Sequence, residues 1–378
     1  IVHQGDLYSV LWDDGYLTVR KFDGRQWMTA GSPRFARVGD MVFNPKAILF
    51  AEDETLYVAY TVLDTDTYET TIKFSRIELG GDNLDWEGVW EGVTDPYFPS
   101  LAGFVVHQGV PYMAYTSWMG NYLMKRTDAG WEAVAFPDSD QMFEAMSLML
   151  DGDRLYLYYR FLDMTTFNSQ RQLIRLDLDD VQSGWTEAAD FDGIEEWYPG
   201  SAYADWYFTV ADGTPTMVLQ FVTQDGSIHL VLARELDGEW VKSAERMIEA
   251  KPNVQQGLSG VSFVMDGQTP YLAYTRNEFD WNTSAQKFEH QAERLHGTGA
   301  VVIGNGPVTP VISNTNGIQL LKSERDLYFV LTSHTANQTL YLTLNLPVCE
   351  VVFYDSDLTE LGRQTVICGE TATAPSPD

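Results

Sequence analysis

Aromatic rings and side-chain amides recur in the polar segments that separate the apolar runs of this chain. The rings are Tyr97, Phe98, Trp118, Phe167, Trp197, Tyr198 and Trp281, and the amides are Asn121, Asn168, Asn277 and Asn282. A flat ring can pack against the apolar face of a sugar or an extended peptide, while an amide can bond its polar rim. These residues form the candidate ligand-binding set, and packing in the core is the alternative for each ring.

Carboxylates in the same segments could act on a bound sugar. They are Asp95, Glu144, Asp163, Glu195, Glu196, Glu278 and Asp280. Two carboxyl groups at a suitable separation serve as acid and base on a glycosidic bond. Because the chain has 54 acidic residues, several on any surface are expected without catalysis. Cleavage of a glycan is therefore an alternative to binding.

Two arginines and two acidic turns complete the candidate groups. Arg160 and Arg276 stand at equivalent positions near the end of a strand in two repeats, where each could clamp a carboxylate or pair with a neighbouring acid. The spacing D-x-D-x-x-E at 64–69 and 355–360 leaves Ca²⁺ binding open beside a plain acidic turn. No cofactor is implied, and the six histidines form no metal-binding pattern.

The elements that must position these residues are written as a repeat. An apolar strand motif occurs seven times, as LYSVLW (7–12), LYVAYT (56–61), PYMAYT (111–116), LYLYYR (155–160), PTMVLQF (215–221), PYLAYT (270–275) and LYFVLT (327–332). The copies recur about every 53 residues, which is the length of a four-stranded propeller blade. Turns such as HQG (107–109) precede them, and tight hairpins require such residues.

A tryptophan follows a second turn in most repeats, at the expected start of a fourth strand. These tryptophans are Trp27, Trp86, Trp131, Trp185 and Trp240, and each can pack between neighbouring blades. The pattern predicts an all-β, seven-bladed β-propeller of four-stranded antiparallel blades. Six blades followed by a C-terminal hairpin is the alternative. The first repeat lacks room for an inner strand, so residues 363–366 are expected to complete that blade or to lie beside it.

The polar turn, the Y-x-A-Y strand and the DG-x-W turn resemble the secreted propellers of the sialidase-like superfamily and their relatives with BNR-type repeats. The resemblance spans nearly the whole chain and implies a propeller fold. The Asp-box S-x-D-x-G-x-T-W is missing, and neither the arginine triad nor the Tyr/Glu pair of sialidases can be placed on this sequence. The resemblance therefore implies no sialidase activity.

Antiparallel connectivity within a blade decides which loops lie together. Turns after the first and third strands lie at one end, called here the turn end. Loops after the second strand and connections between blades lie at the other, the loop end. The candidate rings fall in loop-end segments such as TDPYFPS (94–100), SWMGN (117–121) and IEEWYPGSAYADW (194–206). Because binding groups concentrate on loops held by a rigid scaffold, we expect a ligand cleft there.

Charge and cysteine content limit the partners and the compartment. A net charge of −30 disfavours nucleic acid and anionic membranes, and no apolar run is long enough to span a bilayer. If the last hairpin turns between residues 358 and 359, Cys349 and Cys368 lie opposite each other, as a disulfide requires. A disulfide indicates an oxidising compartment, and two buried thiols are the alternative.

The sequence thus predicts a monomeric, secreted or cell-surface propeller over residues 1–368, with a flexible linker or tail at 369–378. It is expected to act as a binding or scaffold module that recognises a carbohydrate at the loop end. Its partners are a glycan or an extracellular protein. The alternatives are a glycan-cleaving enzyme, either glycoside hydrolase or polysaccharide lyase, and a protein–protein interaction platform without a small-molecule pocket.

Overall fold

The chain is built from consecutive antiparallel β-sheets. A computed structural model describes residues 1–13, 16–22, 27–32, 35–37, 47–64, 66–80, 85–95, 99–137, 141–163, 168–191, 193–211, 213–266, 269–296, 299–302, 315–322, 327–333, 342–344, 348–354 and 360–367, a few of them by their backbone alone. The helices in this part of the chain are two short 3-10 turns, Val181–Ser183 and Ile194–Trp197. The predicted all-β class is confirmed.

Six sheets of four or five strands follow one another along the chain, and we call them blades 1 to 6. Blade 1 holds β1 (Val2–His3), β2 (Asp6–Asp13), β3 (Tyr16–Phe22), β4 (Trp27–Thr29) and β5 (Ala36–Arg37); blade 2 holds β6 (Ala47–Glu52), β7 (Thr55–Leu63), β8 (Thr70–Glu78), β9 (Glu87–Gly88) and β10 (Val93–Asp95). Blade 3 holds β11 (Ser100–His107), β12 (Val110–Ser117), β13 (Gly120–Thr127) and β14 (Gly130–Ala133); blade 4 holds β15 (Met142–Asp151), β16 (Arg154–Asp163), β17 (Asn168–Asp177) and β18 (Thr186–Ala189). Blade 5 holds β19 (Ala202–Ala211), β20 (Thr214–Val222), β21 (Ile228–Leu236) and β22 (Glu239–Ile248); blade 6 holds β23 (Val254–Asp266), β24 (Thr269–Asp280), β25 (Ala285–His296) and β26 (Gly299–Val302). From blade 2 to blade 6, the first strands of successive blades contact one another, as the inner strands of a propeller do.

Smaller sheets follow blade 6. Strands β27 (Thr315–Lys322), β28 (Leu327–Ser333) and β29 (Leu342–Leu344) form a three-stranded sheet, and among the described strands β30 (Val348–Tyr354) pairs with β31 (Glu360–Ile367) alone. The Leu320 N–H donates to Ser262 Oγ of blade 6 over 3.0 Å, while Leu321 packs with Leu7 and Phe22 of blade 1. The three-stranded sheet therefore lies between the last blade and the first.

The predicted propeller of four-stranded antiparallel blades is confirmed, but the predicted number of seven blades is wrong, and the alternative of six blades is the one that the structure describes. In the described part of the chain there are six blades, because the strands after β29 pair with each other instead of adding a fourth strand to the last sheet. Blade 1 also has an inner strand of its own, β1, so β31 does not complete it.

The register of the last hairpin differs from the predicted one. Cys349 lies opposite Val366, because the strands turn one residue earlier than the sequence suggested. The prediction that Cys349 lies directly opposite Cys368 in the hairpin is therefore wrong. Cys368 lies outside the described residues, and a disulfide between the two stays a prediction.

Tight hairpins connect the first two strands of the blades. Gln4 and Gly5 have φ of 50° and 82°, and Gln108 and Gly109 have 50° and 76°, the backbone of a two-residue turn that matches strand twist. Neighbouring turns also touch across the turn end. Gln4 Nε2 donates to the Asp53 carbonyl over 3.2 Å, and the Gly109 N–H donates to Glu52 Oε2 over 3.1 Å. The predicted hairpin at 107–109 is thus confirmed, and the contacts of these turns help to join the blades.

The core consists of apolar layers between adjacent blades. One layer packs Leu17 and Val19 of blade 1 against Val58 of blade 2, and similar layers join each later pair of blades up to blades 5 and 6. At the innermost point between blades 3 and 4, Gly103 leaves no room for a side chain. A Cβ built there would lie 2.8 Å from the backbone nitrogen of Leu148. The backbone of the inner strand of blade 3 therefore lies directly against the Cβ and backbone of Leu148 in blade 4.

Outer tryptophans link blades 2 to 5 to the blade that precedes each of them. The Nε1–H of Trp86 donates to the Ala30 carbonyl over 2.8 Å, that of Trp131 to Glu91 over 2.9 Å, and that of Trp185 to Ala135 over 2.9 Å. Trp240 packs at the same place between blades 4 and 5, where the Asp190 N–H instead donates to the Gly238 carbonyl over 3.3 Å. The predicted packing between blades is confirmed for these four.

Blade 6 extends furthest at the loop end. Aligned on the repeat, β24 continues two to four residues beyond the second strands of the other blades, or about 7 to 13 Å. We call the extension, residues 254–258, 276–280 and 285–289, the ribbon. Its three strands remain paired up to Asp280 and Ala285.

Candidate functional site

Three aromatic side chains of the described residues are largely exposed. They are Tyr68, 62% exposed, Trp118, 83% exposed, and Trp281, 64% exposed. Each belongs to a loop between the second and third strands of its blade, in blades 2, 3 and 6. All three rings therefore lie at the loop end.

The Tyr68 loop is held by the carboxylate that precedes it. Asp64 Oδ1 accepts the N–H groups of Asp66 over 2.8 Å and Thr67 over 3.2 Å, and these bonds lower the pKa of Asp64. The Tyr68 N–H donates to the Asp64 carbonyl over 2.8 Å, and Tyr68 has a φ of 61°. The residues Asp64, Asp66 and Glu69 thus belong to a turn that exposes the ring of Tyr68 to solvent.

The other two exposed rings stand on turns of related construction. Ser117 Oγ accepts the Met119 N–H over 3.2 Å beside Trp118, and Asp280 Oδ1 accepts the Asn282 N–H over 2.8 Å beside Trp281. The backbone N–H of Trp281 also donates to the Asn253 carbonyl over 3.0 Å. Short side chains at the strand ends therefore fix all three loops.

The sequence analysis identified residues 64–69 as an acidic turn but did not place Tyr68 in the candidate ligand-binding set. The available signal was an Asp at a strand end followed by Thr and Asp, a pattern that favours a turn closed on the Asp side chain. In such a turn an aromatic residue has no core to enter. Tyr68 is therefore added to the candidate set.

Trp197 and Tyr198 lie together between blades 4 and 5, but protein groups occupy much of their surface. Both rings pack against Phe221, with centroids 6.4 Å and 4.8 Å away, and His229 lies 4.5 Å from Tyr198. Lys242 Nζ lies 4.0 Å from the Tyr198 centroid and 5.6 Å from that of Trp197. A role in ligand binding stays a prediction for these two residues.

A carboxylate anchors this cluster. Glu245 Oε1 lies 2.6 Å from His229 Nδ1, and Glu245 also hydrogen-bonds Tyr198. Burial works to raise the pKa of Glu245, but the bonds to Tyr198 and His229 outweigh it and leave the pKa lowered. The pKa of Tyr198 is raised by burial and by the same carboxylate. The cluster thus favours an ionised Glu245 and a neutral Tyr198.

We expect Glu245→Gln to lower the free energy of unfolding by about 1 kcal/mol near pH 7. A carboxyl group whose pKa is lowered by folding stabilises the protein above its unfolded pKa, and this contribution is lost as the pH falls through the folded value. The difference between wild type and variant should therefore shrink below about pH 4, as urea titrations at both pH values would measure. An equal difference at both would contradict this account of Glu245.

The predicted arginines differ in their surroundings. Arg276 and Lys251 both contact the buried carboxylate of Glu278, with 2.7 Å from Lys251 Nζ to Glu278 Oε1. Burial opposes these contacts, but they leave the pKa of Glu278 lowered. Arg160 is half-buried in β16. The prediction that the two arginines occupy equivalent positions is wrong, because Arg160 aligns with Thr275 in the repeat. Side chains alternate along a strand, so Arg160 faces the following blade, whereas Arg276 faces the preceding one.

The remaining predicted residues are divided between described and undescribed parts. Tyr97, Phe98 and Phe167 lie outside the described residues, as do the side chains of Asn168, Glu144, Asp163 and Glu195. Asp95 is buried. The pKa of Tyr115 is raised mainly by the burial of Tyr115, and the charge of Asp95 raises it further. Asn121 is buried and donates to the Gln141 carbonyl over 2.7 Å.

The described part of the chain contains neither a metal-binding cluster nor a membrane-spanning helix. Its His, Cys, Asp and Glu side chains include no group of three that could hold a metal ion. None of its helices has the length and apolar character needed to cross a membrane.

Several solved structures align with this chain at low identity. A thermostable family-43 glycoside hydrolase aligns at 14% identity and a TM-score of 0.37, over 74% of this chain and 96% of that one. A mutant of AofleA from Arthrobotrys oligospora aligns at 14% and 0.40, over 86% and 87%, and a Hadza microbial sialidase at 13% and 0.42, over 71% and 61%. The expected resemblance to sialidase-like propellers is confirmed at the level of the fold, and no further. No protein-family model and no curated protein matches the sequence.

Proposed function

We propose that this protein is a secreted or cell-surface propeller that binds a carbohydrate through its loop end. One observation carries the proposal: the aromatic side chains most exposed in the described residues, Tyr68, Trp118 and Trp281, all stand at that end on turns fixed by hydrogen bonds. A fixed, exposed ring loses little conformational freedom when a sugar packs on it.

Binding is proposed in preference to cleavage because the two candidate acids of the ribbon are engaged within the protein, Glu278 with Lys251 and Arg276, and Asp280 with the Asn282 N–H. A general acid for glycoside hydrolysis needs a raised pKa. Among the candidate acids with a resolved shift, Glu278 and Asp280 both have lowered pKa values. Glu278 serves in an ion pair with Arg276, and Asp280 closes the turn before Asn282. At TM-scores of 0.37 to 0.42, the structural neighbours do not bear on the ligand.

We expect Trp118→Ala and Trp281→Ala each to weaken binding to a glycan about tenfold, since removing a stacking ring costs about 1.4 kcal/mol. Binding of wild type and variants to a glycan array, followed by calorimetry on the ligands found, measures the effect. Met28→Ala, at another exposed apolar residue on the outer strand β4, is the control and should bind like wild type.

Two results would contradict the proposal. Wild type that binds no glycan would favour the alternative of a protein partner, and unchanged affinity in both tryptophan variants would remove the rings from the site. Release of shortened or unsaturated sugars from a bound polysaccharide would show that the protein is instead a glycan-cleaving enzyme.

A further inference from the structure

The two faces of the ribbon differ in charge. Residues directly opposite each other in an antiparallel pair share a face. The row Gln256–Glu278–Lys287 and the row Leu258–Arg276–Glu289 therefore lie on one face, which we call the ionic face. It points toward blade 5, like Leu272 and Tyr274 further down β24.

Contacts on the ionic face are made within the protein. Glu278 forms ion pairs with Lys251 and Arg276, and Lys287 forms one with Glu289. Gln256 Nε2 donates a hydrogen bond to the Glu249 carbonyl over 2.8 Å. These contacts tie the ribbon to the connection that leads from blade 5. The face holds the ribbon in place.

The opposite face of the ribbon carries rings and amides. Its rows are Gly257–Asn277–Phe288 and Gln255–Phe279–Gln286, and we call it the neutral face. No residue of these two rows has a charged side chain. The next row inward holds Thr275 and the buried His290, joined over 2.9 Å, and burial lowers the pKa of His290. That imidazole is therefore neutral at physiological pH.

Local packing fixes the polar and aromatic groups of the neutral face. A Cβ on Gly257 would lie 2.6 Å from Asn277 Oδ1, so the amide of Asn277 lies over the bare backbone of Gly257. At the tip, the ring of Trp281 meets that of Phe279 edge to face, with centroids 4.7 Å apart at 78°. Gln255 and Gln286 are exposed on either side of Phe279.

We propose that the neutral face binds an uncharged glycan, with Phe279 and Trp281 packing on sugar rings and the amides of Gln255, Asn277 and Gln286 bonding hydroxyl groups. The inference rests on the proposed function and specifies its ligand. A carboxylate or sulfate on the sugar would meet no cation on these rows and would be repelled by a chain of net charge −30. Uncharged hydroxyl groups match the amides in both donors and acceptors.

The test uses soluble xylo-, manno-, cello- and arabino-oligosaccharides, with oligogalacturonates as the acidic set. We expect wild type to bind a neutral member, Phe279→Ala to bind it about tenfold more weakly, and Gln286→Ala about fivefold more weakly. Lys287→Ala is the matched control, because Lys287 is the neighbour of Gln286 in sequence but lies on the ionic face. Its affinity should equal that of wild type, and added salt should not change any of these values.

The outcomes separate this inference from the proposed function. If a neutral glycan binds and Trp118→Ala weakens it while Phe279→Ala and Gln286→Ala do not, the ribbon inference fails and glycan binding stands. If only the acidic set binds, or if affinity falls steeply with salt, the ligand is not neutral and the inference fails. If wild type binds no glycan, both fail. Because Gln286 is exposed, its substitution tests the face without endangering the fold.

Discussion

Gly103→Ala is expected to lower the free energy of unfolding by about 3 kcal/mol, at the upper end of the cost of overpacking. The added methyl group would lie 2.8 Å from the backbone nitrogen of Leu148 and 3.0 Å from its Cα. Both groups are backbone on the inner strand of the next blade, so no side-chain rotation can make room. Relief requires blades 3 and 4 to separate at their innermost contact.

Gly88→Ala is the matched control for this substitution. Gly88 lies in β9 with nothing within 4 Å of a built Cβ, and neither glycine has a positive φ. Both substitutions restrict the unfolded chain equally, so the difference between them isolates the contact in the folded state. Urea unfolding of the two variants measures it. Equal stabilities would mean that the inner strands can move apart at little cost.

Arg246→Ala is expected to lower the free energy of unfolding by about 3 kcal/mol, because it leaves a buried carboxylate without its cation. Arg246 Nε lies 2.8 Å from Glu293 Oε2, and the side chain of Glu293 is 0% exposed. After the substitution, Glu293 keeps the hydroxyl of Tyr274 at 3.1 Å from its Oε1, but Gln291 Oε1 lies closer to that hydroxyl, at 2.6 Å, and competes for its proton. One neutral donor cannot replace a guanidinium beside a carboxylate that water does not reach.

An exposed pair of the same geometry provides the control. Arg76 Nε lies 2.8 Å from Glu87 Oε1, with the two side chains 37% and 61% exposed. Arg76→Ala should cost less than about 1 kcal/mol, since water replaces the lost partner. Replacing both Arg246 and Glu293 by leucine should recover most of the stability that Arg246→Ala loses. If Arg246→Ala and Arg76→Ala behaved alike, burial would not explain the importance of the Arg246 pair.

Local patterns predicted the blade but not the count of blades. The motif PYMAYT marks β12 and its equivalents correctly because a buried second strand must be apolar on both faces. The turn at Gln108 and Gly109 and the tryptophan at 131 are equally local signals. The motif LYFVLT also marks a strand, β28, but whether a fourth strand joins its sheet depends on the pairing of distant segments. Sequence spacing does not encode that choice.

The candidate site was predictable only in part, for a similar reason. Exposure of Trp118 and Trp281 follows from their turns, whereas the surroundings of Trp197 depend on Lys242, a residue of another strand. The two faces of the ribbon depend on a register that runs unbroken from Arg276 to Asp280. A shift of one residue would exchange the ionic and neutral faces, so the neutral face could be recognised only after the pairing was known.

The hydrogen bonds of Trp86, Trp131 and Trp185 all point backward, from a later blade to a carbonyl in the segment that follows an outer strand of the preceding blade. During synthesis the earlier blade leaves the ribosome first. In blades 1 to 3 this hydrogen bond to the outer border can therefore form only after the tryptophan of the following blade has emerged. The order of translation and the order of fastening run in the same direction around the ring.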